Sequence, residues 1–116
     1  MSAELAHFEI AGPDDQALAA FYGQLLHWQI DSRGPGYTLL HPAAGPGGAV
    51  IDAERPGVTL GVTVSDLDGV VAQVSALGGQ VLMPPTDNGW VTKALVQDPA
   101  GNRLSLIQAS PPPTES

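Results

Sequence analysis

Asp98-Pro99-Ala100-Gly101-Asn102-Arg103-Leu104-Ser105-Leu106 is the stretch whose reading decides the fold. Asp98 and Asn102 are turn-formers, Pro99 presets a turn dihedral, and Gly101 tolerates the left-handed region. A strand over Arg103–Gln108 follows, and Trp90–Val96 precedes it, so the segment reads as a hairpin. Working back, Val81–Met83 is a short strand that Pro84-Pro85 is expected to end. Gly78-Gly79 stops a helix with an apolar stripe of Val70, Val71, Val74 and Leu77, which Asp66 is placed to cap. Val58–Val64, alternating and β-branched, is a strand. The second half of the chain is therefore strand, helix and three strands.

The first half follows the same plan. His7–Ile10 is a short strand broken by Gly12-Pro13. Asp14 or Asp15 caps a helix in which Leu18, Phe21, Tyr22, Leu25 and Leu26 recur on one face. Trp28–Asp31, Tyr37–His41 and Ala49–Asp52 are extended, separated by Gly34-Pro35-Gly36 and by the loop Pro42 to Gly48. Adding 52 carries His7 to Thr59, Asp14 to Asp66, Leu25 to Leu77 and Ile30 to Leu82. Gly45-Pro46-Gly47-Gly48 then matches Asp98-Pro99-Ala100-Gly101 at 53. The repeat predicts an α+β fold of two βαβββ modules, over about residues 5–53 and 57–108, related by a pseudo-twofold axis. Together they form one domain over residues 1–109, and the Pro-rich tail 110–116 is expected to be disordered.

Composition narrows the function. The 116 residues are 43% apolar, which is globular, and no stretch reaches the length of a membrane span. The start, MSAELAHFEI, lacks the basic and apolar regions of a secretory signal. There is no cysteine, so disulfides, thiolate metal sites and cysteine nucleophiles are excluded, and a cytoplasmic location is the plain expectation. The formal charge is −8 and the pI about 4.3. Arg33, Arg55, Lys93 and Arg103 are the only cations, too few and too dispersed for nucleic acid or an anionic membrane. The acidity serves solubility or attracts cationic ligands.

These residues resemble a known superfamily. His7-Phe8-Glu9-Ile10, Asp14, Phe21-Tyr22 and Leu26-His27-Trp28 look like the first-module signature of the vicinal oxygen chelate proteins. That superfamily includes glyoxalases, bleomycin-resistance proteins and extradiol dioxygenases. Val62 to Asp68 looks like the start of the second module, and residues 98–106 resemble the closing "DPxGNxxxL" hairpin. The resemblance implies a curved sheet forming a cup. In metal-dependent members the first and last strands of each module ligate a divalent ion, which acts as a Lewis acid. Here His7 matches the first-strand histidine, Thr59 stands in its repeat position, and Ser105 replaces the second module's last-strand acid. The offset of 53 makes Asp52 the equivalent of Ser105. Two ligands fall short of the usual three, so no metal or other cofactor is expected.

His7 and Asp52 are thus the candidate catalytic groups, as base or metal ligand. His7, Tyr37, Asp52, Thr59, Trp90, Ser105 and Gln108 are the candidate ligand-binding residues. Trp28 reads as core, His27 as a helix-terminal cation and Lys93 as an outer-face residue. Phosphate-loop, nucleophile-elbow and HExxH motifs are absent. Two functions stay open. One is a metal-free homodimer that binds a small molecule, such as an antibiotic or other natural product. The other is an enzyme of the superfamily: an isomerase or cyclase, a lyase or a dioxygenase.

Overall fold

A computed structural model describes residues 2–109; the expected disordered tail lies outside the described residues. The elements are β1 (Glu4–Gly12), α1 (Asp15–Leu26), β2 (Gln29–Ser32), β3 (Tyr37–His41) and β4 (Gly47–Asp52), then β5 (Gly57–Val64), α2 (Leu67–Val71), β6 (Gln80–Asp87), β7 (Thr92–Gln97) and β8 (Arg103–Gln108). This is the predicted βαβββ plan, twice over. The chain divides into two compact units. The first runs from Ala6 to Thr59; the second joins the chain from Leu60 onward to Leu5 and the residues before it.

In the first unit the strand order is β2-β3-β4-β1. β1 and β4 are parallel, whereas β2–β3 and β3–β4 are antiparallel. Asp14 starts α1 in a left-handed conformation, and its carboxylate accepts from Ala17 N at 3.2 Å. This satisfies one free donor of the first turn. Ala19, Leu40 and Val50 form the buried centre, with Phe8, Ile10, Leu18, Tyr22 and Trp28 packed around them. Gly48 pairs with Phe8, and a β-carbon there would overlap the Phe8 ring. Glycine therefore leaves the ring room to pack on Trp28, with centroids 5.7 Å apart. The expected helix face is only half right. Leu18 and Tyr22 face the core, but Phe21, Leu25 and Leu26 are exposed. Ala19, which the apolar periodicity passed over, is buried in their place.

In the second unit the order is β5-β8-β7-β6. Val64, Leu67, Ala94, Val96 and Leu106 are its buried centre, with Val62, Val70, Val71, Val74, Val81 and Leu104 around them. Asp66 caps α2, its carboxylate accepting from Gly69 N at 3.1 Å. The helix is far shorter than its apolar stripe predicts. It ends at Val71 and continues as three-residue turns, such as Val74 N to Val71 O and Gly78 N to Ser75 O. Gly69 and the adjacent β-branched Val70 and Val71 have low helix propensity. Leu77 is 74% exposed and takes no part in the stripe. Gly78 has the expected left-handed φ of 94°.

Two strand boundaries also need correction. β6 does not stop at Pro84-Pro85 but runs through both to Asp87, with register shifts between Val81 and Met83 and between Met83 and Thr86. A terminal strand with bulges tolerates residues that lack an N–H. β7 begins at Thr92, so Trp90 lies in the loop before it and not on the strand.

The closing turn is built on Asp98. Its Oδ1 accepts from Ala100 N at 2.9 Å and Asn102 N at 2.8 Å, and its Oδ2 accepts from Asn102 Nδ2 at 2.9 Å. The Asn102 side chain and backbone donors hold the Asp98 pKa below its ordinary value. A lowered folded-state pKa means stability that is complete above the unfolded aspartate value of about 3.9 and lost as pH falls through the lowered value. The melting-temperature gap between the native chain and Asp98→Asn should therefore be level from neutral pH to about 5 and close below about 4. A gap unchanged down to the acid limit of folding would contradict this account.

Candidate functional site

Strand alternation divides each half-sheet into a face under its own helix and an open face. In β1, Phe8 and Ile10 pack with the α1 core, so His7, Glu9 and Ala11 take the other face. Cross-strand partners share a face, which adds Ala49 and Ile51 of β4 and Tyr37 and Leu39 of β3. His7 Nε2 lies 3.7 Å from Glu9 Oε2, and both side chains are 30% exposed. This is a half-buried acid–imidazole pair on a floor of apolar residues.

Asp52 does not join it. It has the parity of Val50, which packs beneath α1, and it sits exposed at the end of β4 beside Gly12. Tyr37 shares the parity of His7 but pairs with Ile51, which is level with Ala11. That is four residues along the sheet from His7, or about 13 Å. Thr59, half-buried, alternates with Leu60 near the start of β5.

The remaining candidates lie in the second unit. Ser105 is half-buried on the open face, between Gly61 of β5 and Leu95 of β7. Gln108 has the opposite parity, and its amide is committed to the α2 terminus. Oε1 accepts from Leu67 N at 2.9 Å, and Nε2 donates to Ser65 O at 2.8 Å and Ala109 O at 3.2 Å. Trp90 is 93% exposed on a turn in which Asn88 Oδ1 accepts from both Trp90 N and Val91 N. Lys93, read from the sequence as an outer-face residue, lies on the open face with Leu95 and Ser105. The buried Ala94 and Val96 on either side of Leu95 fix that alternation.

The repeat relation is corrected by the strand registers. Gly12 pairs with Asp52, and Val64 pairs with Gln108. The first strands are thus related by 52 and the last strands by 56, not 53. Asp52 corresponds to Gln108, and Ser105 corresponds to Ala49. The left-handed Gly45 and Gly101 (φ 84° and 102°) match at this same offset. The extra residues lie in the β6–β7 hairpin: Gln29 pairs with His41, but Gln80 pairs with Gln97.

This donor set does not fit the superfamily's metal centre. His7 and Glu9 share a face, but Asp52 has the opposite parity. Among the described residues no group of three or more His, Cys, Asp or Glu side chains could hold an ion. Thr59 and Ser105, in the remaining ligand positions, are weak divalent ligands.

Two βαβββ units, each with one helix-covered and one open sheet face, define an α+β protein of the vicinal oxygen chelate class. The glyoxalase-like domain model matches residues 7–107, and the chain belongs to that family. It is 32% identical over 110 residues to the Mycobacterium tuberculosis protein named "Putative glyoxylase CFP32". That match covers 84% of this chain but only 42% of the relative, so the chain spans less than half the relative's length. Among solved structures it is similar to a glyoxalase/bleomycin resistance protein/dioxygenase superfamily member from Vibrio splendidus 12B01. The TM-score is 0.74 at 17% identity, covering 93% of this chain and 100% of the other. It is also similar to methylmalonyl-CoA epimerase from Mycobacterium tuberculosis, with TM-score 0.70, 18% identity, and coverage of 93% and 89%. At these identities the likeness is one of fold. No helix of the described residues is long and apolar enough to cross a membrane.

Proposed function

We propose that this protein is a metal-free small-molecule binder of the glyoxalase-like family, taking a ligand such as a natural product on its open sheet faces. One observation carries this reading. Each helix covers one face of its half-sheet, and the opposite face carries half-buried groups of mixed character: His7, Glu9, Leu39 and Ile51 in the first unit, Lys93, Leu95, Ser105 and Ile107 in the second. Apolar surface with a few polar groups is the usual composition of a ligand site. A homodimer in the cytoplasm is part of the proposal. The matched relative is more than twice as long as the region it shares with this chain, and the absence of cysteine suits a reducing compartment.

The His7–Glu9 pair favours a second reading, as an enzyme. A carboxylate 3.7 Å from an imidazole can orient the ring, which suits His7 to proton transfer at a ligand carbon. In this reading His7, and not Asp52, is the base.

Native mass spectrometry of the purified protein, with titration of a natural-product panel, tests the binding reading. A saturable complex is expected, and none across the panel would overturn it. Turnover of a bound compound that His7→Gln abolishes would select the enzyme instead. Metal content is expected to be below one equivalent, and chelator is expected to leave the melting temperature unchanged. An ion present at a hundred times its dissociation constant would stabilise the fold by about 2.7 kcal/mol. A clear drop in melting temperature on chelation would therefore refute the metal-free assignment.

A further inference from the structure

We infer that the open face of the second unit is a site for an organic carboxylate, with the anionic group at Lys93 and the apolar part over Leu95 and Ile107. The inference rests on the binding reading above and names the ligand class. The chain carries twelve acidic residues against four basic ones. Two of the four, Lys93 and Arg103, nevertheless lie on this one face. Lys93 pairs with Ile107, and Gln97 pairs with Arg103.

No acidic residue occupies the face. Its β5 positions are Gly61 and Thr63, its β8 positions Arg103, Ser105 and Ile107, and its β7 positions Lys93, Leu95 and Gln97. The β6 residues paired with these are Gln80, Met83 and Thr86. The unit's described carboxylates are engaged elsewhere or lie off the face. Asp66 and Asp68 are at α2, and Asp98 is in the closing turn. Asp87 pairs with Thr92, one residue out of phase with Lys93, and accepts from Gly89 N. Glu4 is exposed on β1 and alternates in phase with Phe8 and not with His7.

Lys93 is half-buried, and no ion pair or hydrogen bond engages its ammonium group among the described residues. An ammonium group without a partner beside apolar side chains offers an anion a charge-assisted hydrogen bond. Thr86 and Thr63 stand in the same cross-strand row as Lys93, and Ser105 in the next. Thr63 Oγ1 donates to Glu4 O and Thr86 Oγ1 to Pro84 O, so Ser105 is the hydroxyl left to donate to a carboxylate oxygen. Leu95 and Ile107, half-buried beside Lys93, supply the apolar floor. The arrangement selects an anion despite the negative net charge, which leaves solubility as the role of the acidity.

The test uses two isosteric probes, 1-naphthaleneacetate and its neutral amide, titrated calorimetrically into the full chain. The carboxylate is expected to bind at least about tenfold more tightly than the amide. Lys93→Met should remove that preference, Lys93→Arg should keep most of it, and Arg55→Met, with the same change in net charge in the other unit, should leave it unchanged. Lys93→Gln serves in place of Lys93→Met if that variant's circular dichroism shows it unfolded. Equal binding of both probes, or equal losses for Lys93→Met and Arg55→Met, overturns the inference while leaving the binding reading intact. No binding of either probe in the millimolar range, together with an empty natural-product panel, overturns both.

Discussion

Replacing Leu40 with alanine is expected to lower stability by about 2–5 kcal/mol, read as a shift in the urea midpoint with unchanged slope. Leu40 is fully buried, and its β3 strand pairs on both sides, with Ile30 of β2 and Gly48 of β4. Truncation removes the transfer energy of the lost methyl and methylene groups and leaves a cavity. Neither flanking strand can close over that cavity without breaking its ladder. A small domain holds a net stability of about 5–15 kcal/mol, so this one change takes a large share of it. A loss under about 0.5 kcal/mol would mean that the site is solvated, and the assignment of the first unit's core would fail.

Gln108→Ala is the second large effect expected, at about 1–3 kcal/mol, because it strips an amide that satisfies the α2 terminus. Leu67 is 2% exposed, and its N–H donates to Gln108 Oε1. Without that acceptor a donor at the edge of the core loses its partner, and Ser65 O and Ala109 O lose theirs. Affinity for the carboxylate probe should stay within about twofold, since Gln108 has the parity of the covered face. Loss of affinity with stability intact would instead return Gln108 to the candidate ligand-binding residues.

What the sequence made legible follows from which interactions are local. The Asp14 and Asp66 caps, the Asp98 turn and the left-handed Gly78 depend on residues a few positions apart, and their side-chain chemistry announces them. The βαβββ order followed from the spacing of such signals. Register was not legible, because it is set across strands. The β6 bulges and the longer β6–β7 loop insert residues that no single motif marks, so the offset of 53 placed Asp52 opposite Ser105 instead of Gln108. That one displacement also put Asp52 on the wrong face as a companion for His7. Lys93 was missed for a related reason. Its exposure depends on the phase of Ala94 and Val96, which only the α2 core reveals. Glu9 was legible as a neighbour of His7, but its pairing needed the geometry of the strand.

The passage of β6 through Pro84 and Pro85 has a consequence for how this chain meets other chains. An outermost strand normally offers a row of unpaired amides on which a neighbour can extend the sheet, the first step toward fibrous aggregates. Here two consecutive residues lack that donor altogether, and the register breaks on either side of Met83 bend the strand away from the flat geometry that stacking needs. β2, the outermost strand of the other half-sheet, is only four residues long. Both margins are poor templates for growth of the sheet by a neighbouring chain at β2 or β6.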